Sequence, residues 1–163
     1  MKELEETKTD FEELIQLVSF NIDQEEFGVD ILKVREINKM MQITKVPNSP
    51  AYVEGIINLR GKVIPVINLR TKLELSKKEY DKNTRIVVIE VNNMTIGFIV
   101  DSVSEVLRIP ANITEATPEI INGMNTDFIK SVAKLENRIL ILIDLEKLIA
   151  DSISGIVKEA NKN

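Results

Sequence analysis

Short apolar or alternating runs, bounded by Gly, Pro, Asn or Asp, recur along most of the chain. Isoleucine and valine dominate these runs, with 24 Ile and 15 Val among 163 residues. Because β-branched side chains suit pleated strands better than helices, this pattern predicts an all-β barrel or sandwich. About ten strands are predicted, at residues 14–21, 26–30, 42–46, 53–59, 62–69, 84–91, 94–101, 105–109, 128–135 and 138–143.

Turn residues set the predicted connections between these strands. Arg60-Gly61 and Asn92-Asn93 each predict a tight reversal, because Gly and Asn tolerate positive φ. Gly55 is expected to allow close approach of two strands. Pro65 predicts that its strand lies at an edge or carries a bulge. Residues 31–37 fit a short helix or an extended bend equally well, and residues 70–75 predict a helical turn.

The end of the chain predicts one buried strand followed by a helix. Ile139, Ile141 and Ile143 alternate as the inward face of the strand, unless Leu140 and Leu142 point inward or both faces are buried. Asp144 is a good N-cap for a closing helix over residues 145–157. The apolar stripe of this helix comprises Leu145, Leu148, Ile149, Ile153, Ile156 and Val157. Two small five-stranded barrels sharing one hydrophobic core are the simplest packing, because each barrel alone would bury too little surface.

The residues that are missing exclude several classes of function. The chain has no cysteine and no histidine, which excludes thiolate metal sites, Cys nucleophiles, Ser-His-Asp chemistry and most catalytic zinc sites. Six scattered glycines form no phosphate-binding loop, and no cofactor or metal is expected. The chain is therefore expected to be a binding module, with a carboxylate-based hydrolase as a remote alternative.

Charge is distributed unevenly along the chain. Residues 1–30 carry a net charge of −8, residues 31–85 a net charge of +7, and residues 86–163 a net charge of −4. Either the basic middle segment is a solvated surface, or it faces an acidic partner protein. Residues 1–13 are predicted to form an acidic flexible tail. With no apolar run of bilayer length and no signal peptide at its start, the chain is expected to be a cytoplasmic protein.

Four stretches of the sequence stand out as specific motifs. Residues 53–70 read Val-Glu-Gly-Ile-Ile-Asn-Leu-Arg-Gly-Lys-Val-Ile-Pro-Val-Ile-Asn-Leu-Arg, and residues 27–37 read Phe-Gly-Val-Asp-Ile-Leu-Lys-Val-Arg-Glu-Ile. Downstream, residues 97–101 read Gly-Phe-Ile-Val-Asp and residues 103–107 read Val-Ser-Glu-Val-Leu. Together these motifs closely resemble the CheW-like family of bacterial chemotaxis coupling proteins, and the resemblance extends from about Leu14 to Ile149.

The resemblance implies one CheW-like domain over residues 14–157, made of two SH3-like β-barrels. Residues 31–83 would build mainly one barrel, while the N-terminal strands and residues 84–143 would build the other. It also implies a non-catalytic adaptor that couples the cytoplasmic tips of methyl-accepting chemoreceptors to the regulatory domain of the histidine kinase CheA. Such a protein is monomeric alone, contacts neither nucleic acid nor the membrane interior, and joins a larger signalling array at membrane-associated receptor clusters.

Binding residues follow from the same resemblance. Glu36 and Arg60 correspond to a functional surface ion pair, although an exposed pair often contributes little. An apolar groove between the barrels would bind the receptor hairpin, as in helix-in-groove recognition. Its members would be Val18, Val29, Leu32, Val34, Val103 and Val106, any of which could instead belong to the core. Two kinase-binding faces are expected, one with Ile43, Lys45 and Val46, the other with Glu115 and Ile120. Gly55 and Gly61 are expected to be conformational.

Related proteins and one different class remain as alternatives. A CheA regulatory domain would belong to a multi-domain kinase, and a CheV protein would add a receiver domain; neither extra part is expected here. The different-class alternative is a small-barrel protein that binds RNA or another polymer through the basic middle segment. Only seven Phe and Tyr side chains and the net acidic charge argue against this alternative.

Overall fold

The computed structural model describes residues 14–116 and 126–161, and strands dominate this part of the chain. The strands are, in chain order, β1 (Leu14–Ile22), β2 (Glu25–Asp30), β3 (Val34–Lys39), β4 (Val53–Leu59), β5 (Lys62–Asn68), β6 (Arg85–Val91), β7 (Met94–Val100), β8 (Ser102–Pro110), β9 (Thr114–Glu115), β10 (Ile129–Lys134) and β11 (Ile139–Ile143). The helices are α1 (Leu69–Lys72) and α2 (Leu145–Asn161), and short 3-10 turns cover Ile31–Lys33, Ala111–Ile113 and Thr126–Phe128.

These strands form two sheets. The first sheet has the order β8-β1-β2-β11-β10-β9 and the second has the order β3-β6-β7-β5-β4. Neighbouring strands are antiparallel, except that β2 and β11 are parallel in the first sheet and β5 and β7 are parallel in the second. We call them the first and the second barrel. The predicted fold class, two small barrels with a C-terminal helix, is confirmed.

Both faces of the central strands are buried, which explains the dense Ile and Val runs. In β6, Ile86 and Val88 point into the interior of the second barrel, while Val87 and Ile89 point into a larger cluster between the barrels. We call this larger cluster the shared core. Strand β11 behaves in the same way, because its leucines fill the first barrel and its isoleucines at 141 and 143 join the shared core. A strand buried on both faces is expected to read as a continuous apolar run.

Helix α2 covers one side of the shared core. Leu145, Leu148 and Ile149 are buried in it, and Ile153 packs against it. The Asp144 side chain caps the helix by accepting a hydrogen bond from the backbone N–H of Lys147 at 3.1 Å. The predicted cap and the described part of the apolar stripe therefore lie where the sequence placed them.

Some expected strands and boundaries were wrong. Residues 42–46 form no strand; only Thr44 makes an isolated bridge with Ile56. Residues 34–39 do form a strand, which pairs with β6. Its residues alternate between half-buried and exposed, and three of them are charged, so the sequence pattern did not predict a strand there. The second barrel extends to Val100 instead of ending near residue 83, because the charged connection at 76–84 returns to the same sheet. The first sheet has six strands because β9 adds a short pairing to β10.

The expectations for Pro65 in β5 and for Ile139 in β11 also need correction. Strand β5 lies between β4 and β7, and its pairing with β4 is regular at Pro65, so the expectation of an edge or a bulge there is wrong. Its ladder with β7 starts at Val66, one residue after the proline, which explains why the missing N–H is tolerated there.

Ile139 is 58% exposed, whereas Ile141 is 7% exposed. The inward face of β11 therefore begins at Leu140, and both of its faces are buried beyond that point.

We predict that Ile141→Asp unfolds the protein. An unpaired carboxylate buried in the shared core costs several kcal/mol, against a typical total stability of roughly 5–15 kcal/mol. The matched control is Ile139→Asp, on the same strand but at an exposed position, which should leave the melting temperature nearly unchanged. Thermal unfolding followed by circular dichroism measures both variants; equal melting temperatures for the two would contradict the assigned burial.

Candidate partner-binding surfaces

The turn between β4 and β5 presents Arg60 to solvent. Arg60 and Gly61 both have positive φ, at 54° and 84°, which is the geometry of a two-residue hairpin turn that follows the twist of the strands. The Gly61 backbone N–H donates a hydrogen bond to Oδ1 of Asn58 at 2.9 Å. The side chain of Arg60 is 79% exposed at the tip of this turn.

Arg60 forms an ion pair with Glu36 of β3. Its Nη1 lies 2.7 Å from Oε2 of Glu36, whose other carboxylate oxygen accepts a hydrogen bond from Asn38 at 2.8 Å. The Asn38 hydrogen bond, followed by the Arg60 hydrogen bond and charge, lowers the pKa of the Glu36 carboxyl from its ordinary value of 4.5. Strands β3 and β4 lie at the two ends of the second sheet. The pair therefore joins the β3 end of that sheet to the hairpin at its other end.

The apolar residues assigned to the receptor groove divide into two groups. Val18 and Val29 are 3% and 2% exposed and belong to the shared core, so they offer no open surface in this structure. Leu32 and Val106 are 86% and 58% exposed. Val106 lies beside Val18 on the adjacent strand, on the same face of the sheet.

Two half-buried valines connect the core to this exposed surface. Val34 on β3 and Val103 on β8 both pack against the shared core, one from each barrel. Leu32 also lines a cleft of about 510 Å³ with apolar neighbours that include Leu17 and Leu142. Half-buried valines from both barrels thus meet at the shared core, whereas the cleft beside Leu32 belongs to the first barrel.

The first expected kinase face follows β3. Thr44 is fixed against β4 by two backbone hydrogen bonds to Ile56, of 2.9 and 2.8 Å. A Cβ on Gly55 would lie 2.2 Å from the Thr44 carbonyl oxygen, so only glycine allows this contact. Ile43 packs against the interior of the second barrel, whereas Lys45 and Val46 are exposed.

Met40, Met41 and Tyr80 extend this surface. They line a shallow depression of about 450 Å³ together with Ile43, Lys45 and two polar neighbours, Gln42 and Glu54. Partial burial and a hydrogen bond with Glu54 raise the pKa of the Tyr80 hydroxyl above its ordinary value. The flexible methionines that line this depression provide an adaptable apolar surface.

The second expected kinase face is described only in part. Glu115 ends β9 and is exposed, with its carboxylate 3.2 Å from Nζ of Lys134. Ile120 lies outside the described residues, as does the acidic tail at 1–13. This face therefore remains an expectation from the sequence.

The motifs do not predict a charge cluster that surrounds one buried arginine. Arg70 lies between the carboxylates of Asp23 and Asp101, at 2.6 and 2.8 Å. Two of these residues were present in the recognised motifs, Arg70 at the end of residues 53–70 and Asp101 at the end of residues 97–101. Each of these two motifs ends in a charged residue after an apolar run, which was the available signal. That the two charged residues contact each other follows only from the fold.

Neither a metal site nor a membrane span is found in the part of the chain that the structure describes. Within residues 14–116 and 126–161, no three acidic side chains are grouped in a way that could hold a metal ion. The helices of these residues lack the combination of length and apolar character needed to cross a bilayer.

Comparisons with known proteins agree with the two-barrel fold and its motifs. The CheW-like domain model matches residues 16–152. Chemotaxis protein CheW of Klebsiella aerogenes is 35% identical over 148 residues, which cover 91% of this chain and 89% of that protein. Chemotaxis protein CheW of Thermotoga maritima is 35% identical over 151 residues, covering 93% and 95% of the two chains.

A solved structure gives the same result. The scaffolding protein TtCheW of Thermoanaerobacter tengcongensis is 39% identical with a TM-score of 0.76, covering 82% of this chain and 91% of that one. The chain belongs to the CheW-like domain family. At the level of the family, the predicted role as a non-catalytic chemotaxis adaptor is confirmed. The comparisons lend no support to the polymer-binding alternative.

We predict that Glu36 titrates below pH 4.5 in the folded protein. Because its folded pKa is lower than its unfolded pKa, the ionised carboxylate stabilises the fold at neutral pH, and this contribution is lost as the pH falls through the folded pKa. A carboxyl-carbon NMR titration measures the pKa directly. In Arg60→Gln the pKa should rise only part of the way, because the Asn38 hydrogen bond remains; an unchanged pKa would show that Arg60 has no part in the shift.

Proposed function

We propose that this chain bridges the cytoplasmic tip of a methyl-accepting chemoreceptor and the regulatory domain of the kinase CheA. Its family and its scaffold-protein neighbour support a coupling role. The observation that carries the two-partner proposal is that exposed apolar side chains occur on different elements, Leu32 and Val106 on one side and Val46 on the other, with a depression lined by methionines 40 and 41 on the second barrel. We propose that it acts as a cytoplasmic monomer recruited to membrane-associated receptor clusters, within a larger array.

The receptor surface lies at the border between the barrels. A helical hairpin with an apolar stripe needs a partner surface that is apolar and preformed. Leu32 and Val106 supply exposed area, and Val34 and Val103 supply a base that the shared core holds rigid. Val18 and Val29 support this surface from beneath and make no direct contact in the proposal.

The kinase surface lies on the second barrel. Exposed Val46 provides an apolar anchor, Lys45 provides a positive charge, and the methionines at 40 and 41 adapt to the partner. Glu115 and Ile120 would form a second kinase contact on the first barrel. Neither contact needs chemistry beyond burial, hydrogen bonding and charge.

Arg60 is proposed to touch a partner as well as Glu36. An arginine has five N–H donors, and the ion pair with Glu36 uses the Nη1 atom alone. The remaining donors lie at the tip of an exposed turn, where they can reach carbonyl or carboxylate oxygens of a partner. The ion pair then serves to orient the guanidinium.

We predict that Arg60→Glu disrupts receptor-dependent kinase activation but leaves the melting temperature nearly unchanged. Substitutions at exposed positions usually alter folding by less than about 0.5 kcal/mol. The reversed charge would repel Glu36 and present the wrong sign to a partner carboxylate. The measurement is kinase activity in a reconstituted mixture of receptor, kinase and this protein. Intact activation by the variant would remove Arg60 from the functional surface.

The charge-swapped pair separates the two roles of Arg60. Adding Glu36→Arg to Arg60→Glu restores the ion pair in the opposite orientation. Partial recovery of kinase activation would show that the pair itself matters, whereas no recovery would show that Arg60 acts by contacting the partner.

We also predict that Leu32→Glu weakens receptor binding at least tenfold while kinase binding stays within about twofold of the wild type. Leu32 is 86% exposed, so its replacement costs little folding stability. The matched control is Ile139→Glu, an exposed apolar residue outside the proposed surface. Calorimetric titration with a soluble receptor hairpin and with the kinase regulatory domain measures both affinities. Equal losses in the two variants would contradict the assigned surface.

A further inference from the structure

The short helix α1 carries two buried cations that point to partners outside the second barrel. Arg70 and Lys72 are 6% and 8% exposed, which is unusual for charged residues. Lys72 contacts Asp151 of α2 and lies 3.9 Å from the centre of the Tyr52 ring. Arg70 contacts Asp23 and Asp101.

Arg70 connects the two barrels directly. Asp23 lies in the turn between β1 and β2 of the first barrel, and Asp101 is the single residue between β7 of the second barrel and β8 of the first. The third contact of Arg70 is local, from Nε to the Ser76 carbonyl oxygen at 2.7 Å. Each of its two carboxylate partners thus belongs to the first barrel or to the junction.

Asp101 connects Arg70 to the turn between β1 and β2 by hydrogen bonds. Its Oδ2 accepts a hydrogen bond from the backbone N–H of Asp23 at 2.8 Å, and its own N–H donates to the Asn21 carbonyl oxygen at 3.0 Å. The β1–β2 turn is therefore fixed to the junction by the backbone and to α1 by Arg70. Charge-assisted hydrogen bonds of this kind require defined directions as well as distances.

The shared core alone defines the angle between the barrels less strictly than this network of directional hydrogen bonds does. Apolar burial is non-directional, so packed sheets can shift slightly with little loss of buried area. A buried guanidinium between two carboxylates has one arrangement that satisfies all three groups, and such networks can contribute specificity even where they add little stability.

We infer that Arg70 is a positioning residue that sets the relative orientation of the two barrels, and through it the surface formed by Val34 and Val103. Because Val34 belongs to the second barrel and Val103 to the first, a change of angle alters their separation. The consequence for receptor affinity rests on the proposed function; the orientation itself does not.

The test measures a distance between the barrels in the isolated protein. The chain contains no cysteine, so Val63→Cys on the second barrel and Asn137→Cys on the first, both exposed, accept spin labels without background. Pulsed electron–electron double resonance then measures the distribution of distances between the two labels. Arg70→Gln should shift or broaden this distribution. The matched control, Arg85→Gln, removes an arginine whose side-chain hydrogen bonds among the described residues go to the carbonyl groups of Lys82 and Thr84 in its own barrel, and should leave the distribution unchanged.

A second variant keeps the test decisive if Arg70→Gln does not fold. Asp23→Asn removes one carboxylate charge at a side chain that is 48% exposed, and should give a smaller change in the same direction. Folded variants with the wild-type distribution would overturn the inference.

Receptor binding provides the functional readout. Arg70→Gln should weaken binding to the receptor hairpin about tenfold and leave binding to the kinase regulatory domain within about twofold, whereas a general loss of stability would weaken both. A wild-type protein that fails to bind the hairpin would disprove the proposed function, while the distance measurement would still decide whether Arg70 sets the orientation. Equal losses for both partners would contradict positioning of the receptor surface.

Discussion

The shared core between the two barrels is the interaction on which the rest of the structure depends. Among the described residues, each barrel has a small interior cluster of its own, with six buried residues in the second barrel and five in the first. The larger cluster between them draws on both sheets and on α2. Because small barrels bury too little surface alone, the two must fold as one unit. The proposed partner surfaces therefore rest on a single packed body, which allows both to keep a fixed relative position.

Buried and exposed charges have different roles in this molecule. Arg70 and Lys72 are buried, although two of their carboxylate partners are about half exposed, and these contacts give direction to an otherwise non-directional core. The Glu36–Arg60 pair exposes its arginine at the surface, where an ion pair contributes little to stability. Similar residue types thus occupy different environments, and we propose a structural role for the first group and a recognition role for the second.

Much of the fold was predictable from the sequence because the strands are short, apolar and separated by clear turn residues. Strand β4 and the Arg60-Gly61 and Asn92-Asn93 reversals were located by local signals alone. The strand at 34–39 was not, since its charged residues gave an ambiguous pattern and its pairing partner is some fifty residues away. The motifs identified Glu36 and Arg60, but no local pattern could show that Val18 and Val29 lie in the core or that Arg70 meets Asp23.

The central claim is that one molecule holds a chemoreceptor tip and a kinase regulatory domain at the same time, through separate surfaces of a rigid two-barrel body. Sedimentation velocity on a mixture of the protein, a soluble receptor hairpin and the kinase regulatory domain tests this most directly. We expect a single faster-sedimenting species that contains all three components. Two separate binary complexes, with the receptor hairpin displacing the kinase domain, would contradict it.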